Sequence, residues 1–566
     1  MFLRIKPAGK YQYVEIVETY RDPETKISRT NVIEKIGRLD KIVEEDPEII
    51  EKLKKRVEKL NQDAEEKRNI DRRKSVEQFL SEGKRRGNSG YPVRNYGYVV
   101  YKHIWDEMKM DSILGKEQQE NSKSNYDLAK ITFLLTISRL LNPASKLRTC
   151  QERDNYLGQN FELDLNQIYR ALDLLSNGKN AIEKSMDSRI QKLYGRELDV
   201  AFYDVTTYAF QSVEADSLKR FGYSKDQKVN EVQIVMGLFI DNNGIPMGYE
   251  LFPGNTSDFS TLKTALNQLK EKYKIKKIII TADRGLNSKN NLKIIKDMGF
   301  GYIMAYKIRS ASERVKKAVL SPDDYLFIND EFKYKVYPYR NFIKDGKEVQ
   351  MLDENLIITW SDDRQKKDAA DQKRLLEKAV KLAESPARYH AELKKGGKKY
   401  LTAAVSGMNL EVDYAQAEYD AQFDGYYAIE TSETRLEPAE VIQKYKGLWK
   451  IEESFRVLKT ELEARPCFVW TESRIRGHFV VCFIALVIQR ILEYRLLRHG
   501  CNSSTPKIIA AIRSAEVMVY SENSKSIFLK RENDRLYDEI IQALGLNPLF
   551  SCNEKNDIRQ ILALHI

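Results

Sequence analysis

The chain has 566 residues, and 94 Lys and Arg against 83 Asp and Glu give it a formal net charge of +11 at neutral pH. A chain of this length holds several domains, each large enough to bury its own core, and the basic balance favours nucleic acid as a partner. Five scattered cysteines argue against a disulfide framework and a zinc site and for a reducing, cytoplasmic location. With only five histidines, any metal is expected to be hard and oxygen-bound.

No membrane or secretory segment is predicted. Met1–Lys6 is followed by turn residues instead of the apolar core of a signal peptide. The longest apolar run, Phe479–Ile488, has ten residues, which is too short to span a bilayer. This run therefore indicates a buried helix.

Residues 1 to 90 are predicted to form a β-meander followed by a charged helix. The strands are expected near Phe2–Lys6, Tyr11–Tyr20 and Lys26–Ile36. The helix takes Asp46 as its N-cap and Pro47 as its first residue. Its apolar seam packs within this domain or pairs two protomers, and it consists of Ile50, Leu53, Val57 and Leu60. The basic, glycine-containing segment Lys84–Gly90 marks the first domain boundary.

Residues 91 to 196 are predicted to be helical and to bind DNA. The expected helices are Tyr126–Leu141, Asn166–Ser176 and Asn180–Tyr194. Short helices joined by brief turns are compatible with a helix-turn-helix reader of DNA. No single recognition helix stands out.

Residues 197 to 308 begin with a strand that carries a carboxylate at an otherwise apolar face. Leu198, Val200, Phe202 and Asp204 alternate onto that face, and a buried charge there needs a partner or a cation. Two further strands joined by a tight turn are expected beside it, at Val232–Ile240 and Pro246–Phe252.

A second aspartate, Asp283, follows the short apolar strand Lys277–Ala282 and precedes an amphipathic helix that stops at Gly299. The carboxylate therefore lies at the C-terminal end of a strand, where open α/β sheets bind their ligands. A helix at Thr261–Tyr273 and a strand at Tyr302–Lys307 complete this region.

Residues 309 to 425 are predicted to be a β-rich insertion, because the interval between Asp283 and the next acidic candidate, Glu452, is too long for a direct connection. Its strands are expected at Tyr325–Ile328, Phe332–Tyr337 and Asn355–Trp360, before a charged helix at Arg364–Ser385. The turn Lys394–Lys399 is either a phosphate grip or a solvated hairpin tip. Trp360 is either a core aromatic or a platform for an unpaired base.

Residues 426 to 497 contain a predicted helix from Tyr445 to Leu462 with one buried stripe, formed by Leu448, Ile451, Phe455, Leu458 and Leu462. Tyr445, Glu452 and Lys459 recur every seven residues and share another face, about 10.5 Å apart. On an isolated helix such a face is usually only solvated. A helix from Glu472 to Leu497 is expected to close the core, and residues 498 to 566 to form a helical tail.

These pieces resemble the DDE transposases of bacterial insertion sequences, in the subgroup with a β-rich insertion and a Tyr-Arg-Glu-Lys signature. The matching segments occur in the family's order and are Phe202–Thr207, Gly222–Asp226, Gly248–Asn255 with Asp258, Thr281–Gly285 and Tyr445–Lys459. The spacing of Tyr445, Glu452 and Lys459 fits the signature, but its arginine position is Leu448. Lys446, Lys450 or Arg456 are candidates to supply that charge. Residues 1 to 38 resemble a leader found in one branch of the family.

The resemblance implies an α/β fold with a ribonuclease-H-like catalytic core, interrupted by the insertion. It implies that Asp204, Asp283 and Glu452 are catalytic and bind two Mg²⁺ ions, with Mn²⁺ as a substitute, and that Asp204 bridges the two. Tyr445, Lys459, Arg456 and Trp360 are the implied DNA contacts. The implied partners are double-stranded DNA, at terminal inverted repeats and at the target, and a second copy of the chain on paired ends.

The chemistry gives a reason for three carboxylates. Cleavage of a phosphodiester by water, and attack of the resulting 3′-hydroxyl on a target strand, both develop charge on the attacking and leaving oxygens. Hard cations stabilise that charge and prefer carboxylate oxygens.

Two other functions remain open from the sequence. A catalytically silent DNA-binding relative would occupy the inverted repeats without cutting. This alternative stays open because Leu448 replaces the arginine of the signature. A two-carboxylate hydrolase such as a glycosidase would need only a pair of carboxyl groups. It leaves the third carboxylate and the basic balance without a role.

Overall fold

The computed structural model describes residues 1–21, 28–83, 91–196, 199–222, 230–273, 278–345, 348–383, 397–403, 410–522 and 525–564. They form a mixed α/β protein that divides into two compact units. The first unit comprises Met1–Val99, Asp154–Asn160 and Ala510–Ile566, and the second comprises Val100–Arg153 and Phe161–Ile509. Some predictions lie wholly or partly outside the described residues, namely those for Lys26, Lys84–Gly90, Leu198, Gly222–Asp226, Lys277, Ser385 and Lys394–Lys399.

The strands are numbered in chain order. The first four are β1 (Phe2–Ala8), β2 (Tyr11–Arg21), β3 (Ser28–Arg38) and β4 (Val93–Asn95). Next come β5 (Val200–Ala209), β6 (Gln233–Ile240), β7 (Pro246–Pro253), β8 (Ile279–Ala282), β9 (Gly301–Tyr306), β10 (Leu326–Asn329), β11 (Phe332–Asp345), β12 (Glu348–Ser361), β13 (Leu401–Ala403), β14 (Leu410–Val412) and β15 (Tyr426–Thr431). The last are β16 (Glu516–Glu522), β17 (Lys525–Lys530) and β18 (Cys552–Glu554).

The α-helices of the described residues are referred to by their bounds. They are Leu39–Glu45, Ile49–Gly83, Val99–Glu107, Met110–Asn121, Leu128–Leu141, Lys146–Gln151, Leu165–Tyr194, Asp258–Tyr273, Lys289–Asp297, Glu313–Leu320, Asp362–Ala383, Tyr414–Ala421, Pro438–Lys446, Trp449–Thr460, Glu472–Arg498, Thr505–Ser514, Arg535–Ala543 and Lys555–Ile561.

In the first unit, β1, β2 and β3 form the predicted antiparallel meander. The helix Ile49–Gly83 starts slightly later than predicted, after Asp46 has accepted a hydrogen bond from the Glu48 N–H (3.0 Å). Leu53 and Val57 of its apolar seam are buried. The seam therefore packs within its own unit, as one of the two alternatives predicted.

The prediction of a purely helical C-terminal tail is wrong. β16 and β17 form an antiparallel hairpin, and β4 and β18 extend it to a four-stranded sheet in the order β18-β17-β16-β4. Val517 and Phe528 are buried on it. The β-branched and aromatic residues of these runs favour strands, and the partner strand β4 lies so far away in the chain that local patterning does not reveal it.

The second unit is built on a nine-stranded sheet in the order β10-β11-β12-β15-β9-β8-β5-β6-β7. β5, β6 and β7 are antiparallel neighbours, whereas β8 pairs parallel with β5, and β9 pairs parallel with β8. β15, β12, β11 and β10 continue the sheet with antiparallel pairs. The strands predicted for residues 309 to 425 are confirmed as β10, β11 and β12, and they belong to this same sheet.

Both faces of the central strands are covered, which explains their nearly continuous apolar sequence. On one face, Ala201, Tyr203 and Val205 pack with the helices Asp258–Tyr273 and Lys289–Asp297. On the other face, the ring centroid of Tyr208 lies 5.1 Å from that of Phe479, in the helix Glu472–Arg498. Asp204 is the one residue of β5 that is not buried.

The helices predicted at 166–176 and 180–194 are in fact one helix, Leu165–Tyr194. Gly178 lies within this helix, and a Cβ there would be 2.4 Å from the Glu117 side chain. Close packing therefore explains the glycine at this position. The helix packs against Glu472–Arg498. Among the described residues, only Glu472–Arg498 is long and apolar enough to cross a membrane, and 89% of its most apolar window is buried inside the protein, as expected of a core helix.

Candidate active site

Asp204 and Asp283 are brought together by the parallel pairing of β5 and β8. Tyr203 is the register partner of Ala282, and the next residue on each strand is one of the two aspartates. Adjacent strands lie about 4.8 Å apart, so the two aspartates are neighbours across the sheet. Asp204 is half-buried and accepts a hydrogen bond from the Val205 N–H (2.7 Å), whereas Asp283 is exposed.

The helix predicted from Tyr445 to Leu462 is two helices, Pro438–Lys446 and Trp449–Thr460. The break occurs at Gly447, where a Cβ would lie 2.5 Å from Cζ of Phe202. Tyr445 is therefore on the preceding helix and does not share a continuous helical face with Glu452. The predicted apolar stripe is confirmed, because Leu448, Ile451, Phe455, Leu458 and Leu462 are all buried.

The second of these helices runs along β5 over the face that carries Asp204. Gly447, two residues before this helix begins, packs on Phe202, and Lys459 near the end of the helix lies with Nζ 5.8 Å from the ring centroid of Tyr208. Asp204 is about 7 Å along the strand from Phe202, and Glu452 is about 7.5 Å along the helix from Gly447. The third carboxylate is thus at the same level as the first.

The charges of both Glu452 and Asp283 act on Tyr445. Burial, the neighbouring Tyr427 phenol and the negative charges of Asp283 and Glu452 all raise the pKa of Tyr445 above its ordinary value. The hydroxyls of Tyr445 and Tyr427 are hydrogen-bonded to each other. The phenol of Tyr445 therefore lies within electrostatic reach of both carboxylates.

Asp283 and Glu452 are both exposed, and neither side chain forms a salt bridge or hydrogen bond with another described residue. Unpaired carboxylates are oxygen donors of the kind that hard divalent cations prefer. As placed, however, no group of three or more His, Cys, Asp and Glu side chains in the described part of the chain is close enough to hold a metal ion. The structure thus brings the predicted residues to one region without closing them into a finished metal cluster.

A cleft of about 520 Å³ opens beside Lys459, past the end of β5. Its lining combines two cations with apolar and aromatic residues and consists of Ala209, Phe210, Gln211, Lys459, Arg465, Pro466, Cys467, Phe468, Val469 and Trp470. Phe468 and Trp470 are 53% and 63% exposed. The sequence analysis missed Arg465, Phe468 and Trp470, although a basic and aromatic run directly after the Glu452 helix was a usable signal.

The cations considered as replacements for the signature arginine differ in their surroundings. Leu448 itself is buried. Arg456 is held by Glu453 on the same helix, with Nη2 2.6 Å from Oε1. Lys450 donates to the main-chain oxygen of Asn242, and burial lowers the pKa of this lysine. Lys446 is exposed.

Trp360 lies within the sheet and not at a loop tip. It pairs with Lys333 of β11 and Tyr426 of β15, and Nζ of Lys333 is 5.3 Å from a ring centroid of the tryptophan. A Cβ at Gly425 would be 2.5 Å from its Nε1. The side chain is half-buried, so base stacking by Trp360 stays a prediction.

Comparison with known proteins identifies the family. Residues 196–488 match the sequence model described as "Transposase DDE domain", and residues 3–72 match "IS1634 family transposase, N-terminal domain". No curated protein matches the chain in sequence. Among solved structures, a piggyBac transposase synaptic complex with hairpin DNA is similar at 8% identity with a TM-score of 0.34, over 74% of this chain and 80% of that one. The first family model spans more than half of the chain, which therefore belongs to the DDE transposases of bacterial insertion sequences, a family of DNA strand-cleaving and strand-joining enzymes that use divalent metal ions.

Proposed function

We propose that the protein cleaves DNA at the ends of its own insertion sequence and joins the freed 3′ ends to target DNA, with Asp204, Asp283 and Glu452 as its catalytic carboxylates. The observation that carries this proposal is the pairing of β5 with β8, which makes Asp204 and Asp283 neighbours. Glu452 lies at the level of Asp204 on the helix that covers the same strand.

The catalytic core is proposed to be ribonuclease-H-like. The order β7-β6-β5-β8-β9 supports this, with three antiparallel strands followed by two that run parallel to the first. Acidic residues at the carboxyl ends of such strands are positioned for ligands. The strands from β15 to β10 extend this core.

Two Mg²⁺ ions are the proposed cofactors, with Mn²⁺ as a substitute, and Asp204 is proposed to contact both ions while Asp283 and Glu452 each contact one. Bound cations of this kind supply charge stabilisation to the attacking and leaving oxygens of a phosphodiester. The donor set fits, since all three groups are carboxylates and two of them have no salt-bridge partner among the described residues. Tyr445, beside Asp283 and Glu452, keeps its proton and is hydrogen-bonded to the hydroxyl of Tyr427.

Lys459 and Tyr445 are proposed to hold the DNA backbone near the reacting phosphate. Lys459 follows Glu452 by seven residues on one helix and lines the cleft together with Arg465. A lysine in that position contributes charge to phosphate binding without reading sequence. Arg456 and Trp360 are weaker candidates for DNA contacts, because Arg456 is already paired with Glu453 and Trp360 is half-buried.

The proposed partners are the terminal inverted repeats, target DNA and a second copy of the chain on paired DNA ends. The proposed location is the bacterial cytoplasm, in association with the nucleoid. All five cysteines are free, which agrees with a reducing compartment.

A catalytically silent relative that only occupies the inverted repeats is the second candidate. Leu448 favours it, because a buried leucine stands where the family's signature has an arginine. The unpaired carboxylates of Asp283 and Glu452 favour the active enzyme.

The test is incubation of the full chain with a DNA fragment that bears the element's ends, in magnesium and in EDTA. The proposal expects cleavage in magnesium only and none by Asp204→Asn. Retardation of the DNA without cleavage by the wild-type protein would support the silent relative. A protein that neither binds nor cleaves this DNA would contradict both candidate functions.

A further inference from the structure

Two glutamates are buried in the extended part of the sheet. Glu354 of β12 is 2% exposed and Glu430 of β15 is 1% exposed. Neither forms a salt bridge with a cation in the described part of the chain. The charge of Lys289 acts on Glu430 without a direct ion pair, and its Nζ donates to the Phe342 oxygen (3.0 Å).

Glu354 and Glu430 lie on the same face of the sheet, because β12 and β15 pair Leu356, two residues from Glu354, with Glu430. Two buried carboxyl groups that are diagonal neighbours without a cation are stable only when one of them carries a proton. Tyr302 donates its hydroxyl to Oε1 of Glu354. Oε2 of Glu354 accepts no hydrogen bond from a described residue. A buried oxygen without a donor is expected to carry the proton itself. Burial and the charge of Glu430 raise the pKa of Glu354 to about 9, so Glu354 holds the proton at neutral pH.

Glu430 contacts the turn that carries Asp283 through Asn287. Nδ2 of Asn287 lies 2.7 Å from Oε2 of Glu430 and 2.9 Å from the main-chain oxygen of Ala305. The turn itself is closed by a hydrogen bond from the Leu286 N–H to the Asp283 oxygen (3.0 Å). One end of the turn thus bears the catalytic candidate, and the other end is fastened to the buried pair.

We propose that Glu430 and its proton-sharing partner Glu354 are positioning residues, which set the place of the Asp283 turn through Asn287. Burial raises the pKa of Glu430 as well, whereas the amides of Asn287 and Asn341, which donate to it, favour its ionised form. The proton on Glu354 removes the opposing charge, and an ionised Glu430 is the stronger acceptor for the amide of Asn287. The effect on DNA cleavage rests on the proposed function, whereas the shared proton and the anchored turn do not.

The proposal makes the turn sensitive to alkaline pH. When Glu354 loses its proton, two negative charges face each other in a buried site, and the pair separates. The other titratable groups facing the pair are Tyr302, Tyr306, Tyr339 and Lys289. Burial is the largest cause of the raised pKa of each of these tyrosines, and the charges of Glu354 and Glu430 add to it, so the phenols keep their protons while Glu354 titrates.

The shared proton is tested by infrared spectroscopy of the full chain. The wild-type protein should show the carbonyl band of a protonated carboxylic acid at neutral pH, and this band should vanish above a pH of about 9. The difference spectrum of wild type minus Glu354→Gln should contain this band at neutral pH and lose it above that pH. A difference spectrum without the band at neutral pH would overturn the shared proton whether or not the protein cuts DNA.

The anchored turn is tested by hydrogen exchange over residues 283–291 and by cleavage of the end-bearing DNA. Asn287→Ala should raise exchange there by about tenfold, as expected for the loss of a hydrogen bond to a charged group, and should slow cleavage. Asn341→Ala is the matched control, because its amide meets Glu430 at 3.4 Å without touching the turn. Glu354→Gln should cut normally at neutral pH and keep cutting where the wild type stops. Unchanged exchange in Asn287→Ala, or equal effects of both asparagine variants, would refute the positioning role.

Discussion

The second unit contains two sets of acidic side chains, one at the edge of its sheet and on a helix beside it, the other within the sheet, and their surroundings make them opposite in behaviour. Asp283 and Glu452 are exposed and have no cation or donor partner among the described residues. Glu354 and Glu430 are buried on neighbouring strands, lie on the same face of the sheet and share a proton in our proposal. Carboxyl groups near water keep their charge and can bind cations, whereas a buried pair reduces its charge by holding a proton.

The largest effect is predicted for the rate of DNA cleavage when the carboxylates are replaced by isosteric amides. Asp204→Asn, Asp283→Asn and Glu452→Gln should each lower cleavage by more than about 1000-fold, because each removes charge worth several kcal/mol in the transition state. DNA retardation should persist in all three. Glu354→Gln should cut at close to the wild-type rate at neutral pH. Cleavage at the wild-type rate by Asp204→Asn, Asp283→Asn or Glu452→Gln would contradict the assignment of that residue as a catalytic carboxylate.

The buried pair should make stability depend on pH. The pKa of Glu354 rises from 4.5 to about 9 on folding, so the folded chain holds a proton that the unfolded chain releases between these values. The free energy of unfolding should therefore fall as the pH rises through this window, by up to about 1.4 kcal/mol per unit. Urea unfolding across the window should show a flatter dependence in Glu354→Gln. Identical slopes in the two proteins would contradict the prediction.

The break before the Glu452 helix should tolerate no side chain. Gly447→Ala places a Cβ 2.5 Å from Cζ of Phe202 and should cost about 1 to 3 kcal/mol, while moving Glu452 away from β5 and slowing cleavage. Gly115→Ala is the matched control, since nothing lies within 4 Å of its added Cβ in the helix Met110–Asn121. That control should be neutral or slightly stabilising in thermal unfolding. Equal stability losses in the two variants would exclude the packing explanation.

Lys459 should contribute one phosphate contact beside the exposed carboxylates. Lys459→Ala should weaken DNA binding and lower the slope of log affinity against log salt by about one. The measurement is a salt titration of fluorescence anisotropy with end-bearing DNA. An unchanged slope would mean that the lysine at the cleft does not meet a phosphate.

Arg456 should give the smallest effect. Its guanidinium is paired with Glu453 at an exposed position, so Arg456→Ala should change the free energy of unfolding by less than about 0.5 kcal/mol. In the same anisotropy assay its salt slope should equal that of the wild type. A decrease as large as that of Lys459→Ala would assign Arg456 to the DNA-binding surface after all.

Much of the candidate site follows from local patterns. Alternation along β5 and the short strand before Asp283 predicted both aspartates at strand positions, and the stripe from Leu448 to Leu462 predicted the buried face of the Glu452 region. The close packing of Gly447 on Phe202 was not predictable, because Phe202 is far away in the sequence. Helical periodicity continues through a short break of this kind, so the pattern alone suggested one helix.

The buried glutamates left no sequence signal. Glu354 stands between Asp353 and Asn355, and Glu430 between Ile429 and Thr431, so both look like solvent-facing residues of a half-buried strand. Only the neighbouring strands and the turn at Asn287 show that these positions are covered. The hairpin of β16 and β17 was missed for a related reason, since its sheet includes β4 from the other end of the chain.

The most direct test of the central claim is iron-directed cleavage of the protein backbone. Fe²⁺ occupies oxygen-ligand sites in place of magnesium, and the radicals that it generates cut the chain near the bound ion. If Asp204, Asp283 and Glu452 hold cations together, fragments should end near all three residues, and excess Mg²⁺ should suppress them. Cuts near only one of the three, or cuts that Asp204→Asn does not diminish, would contradict a shared site.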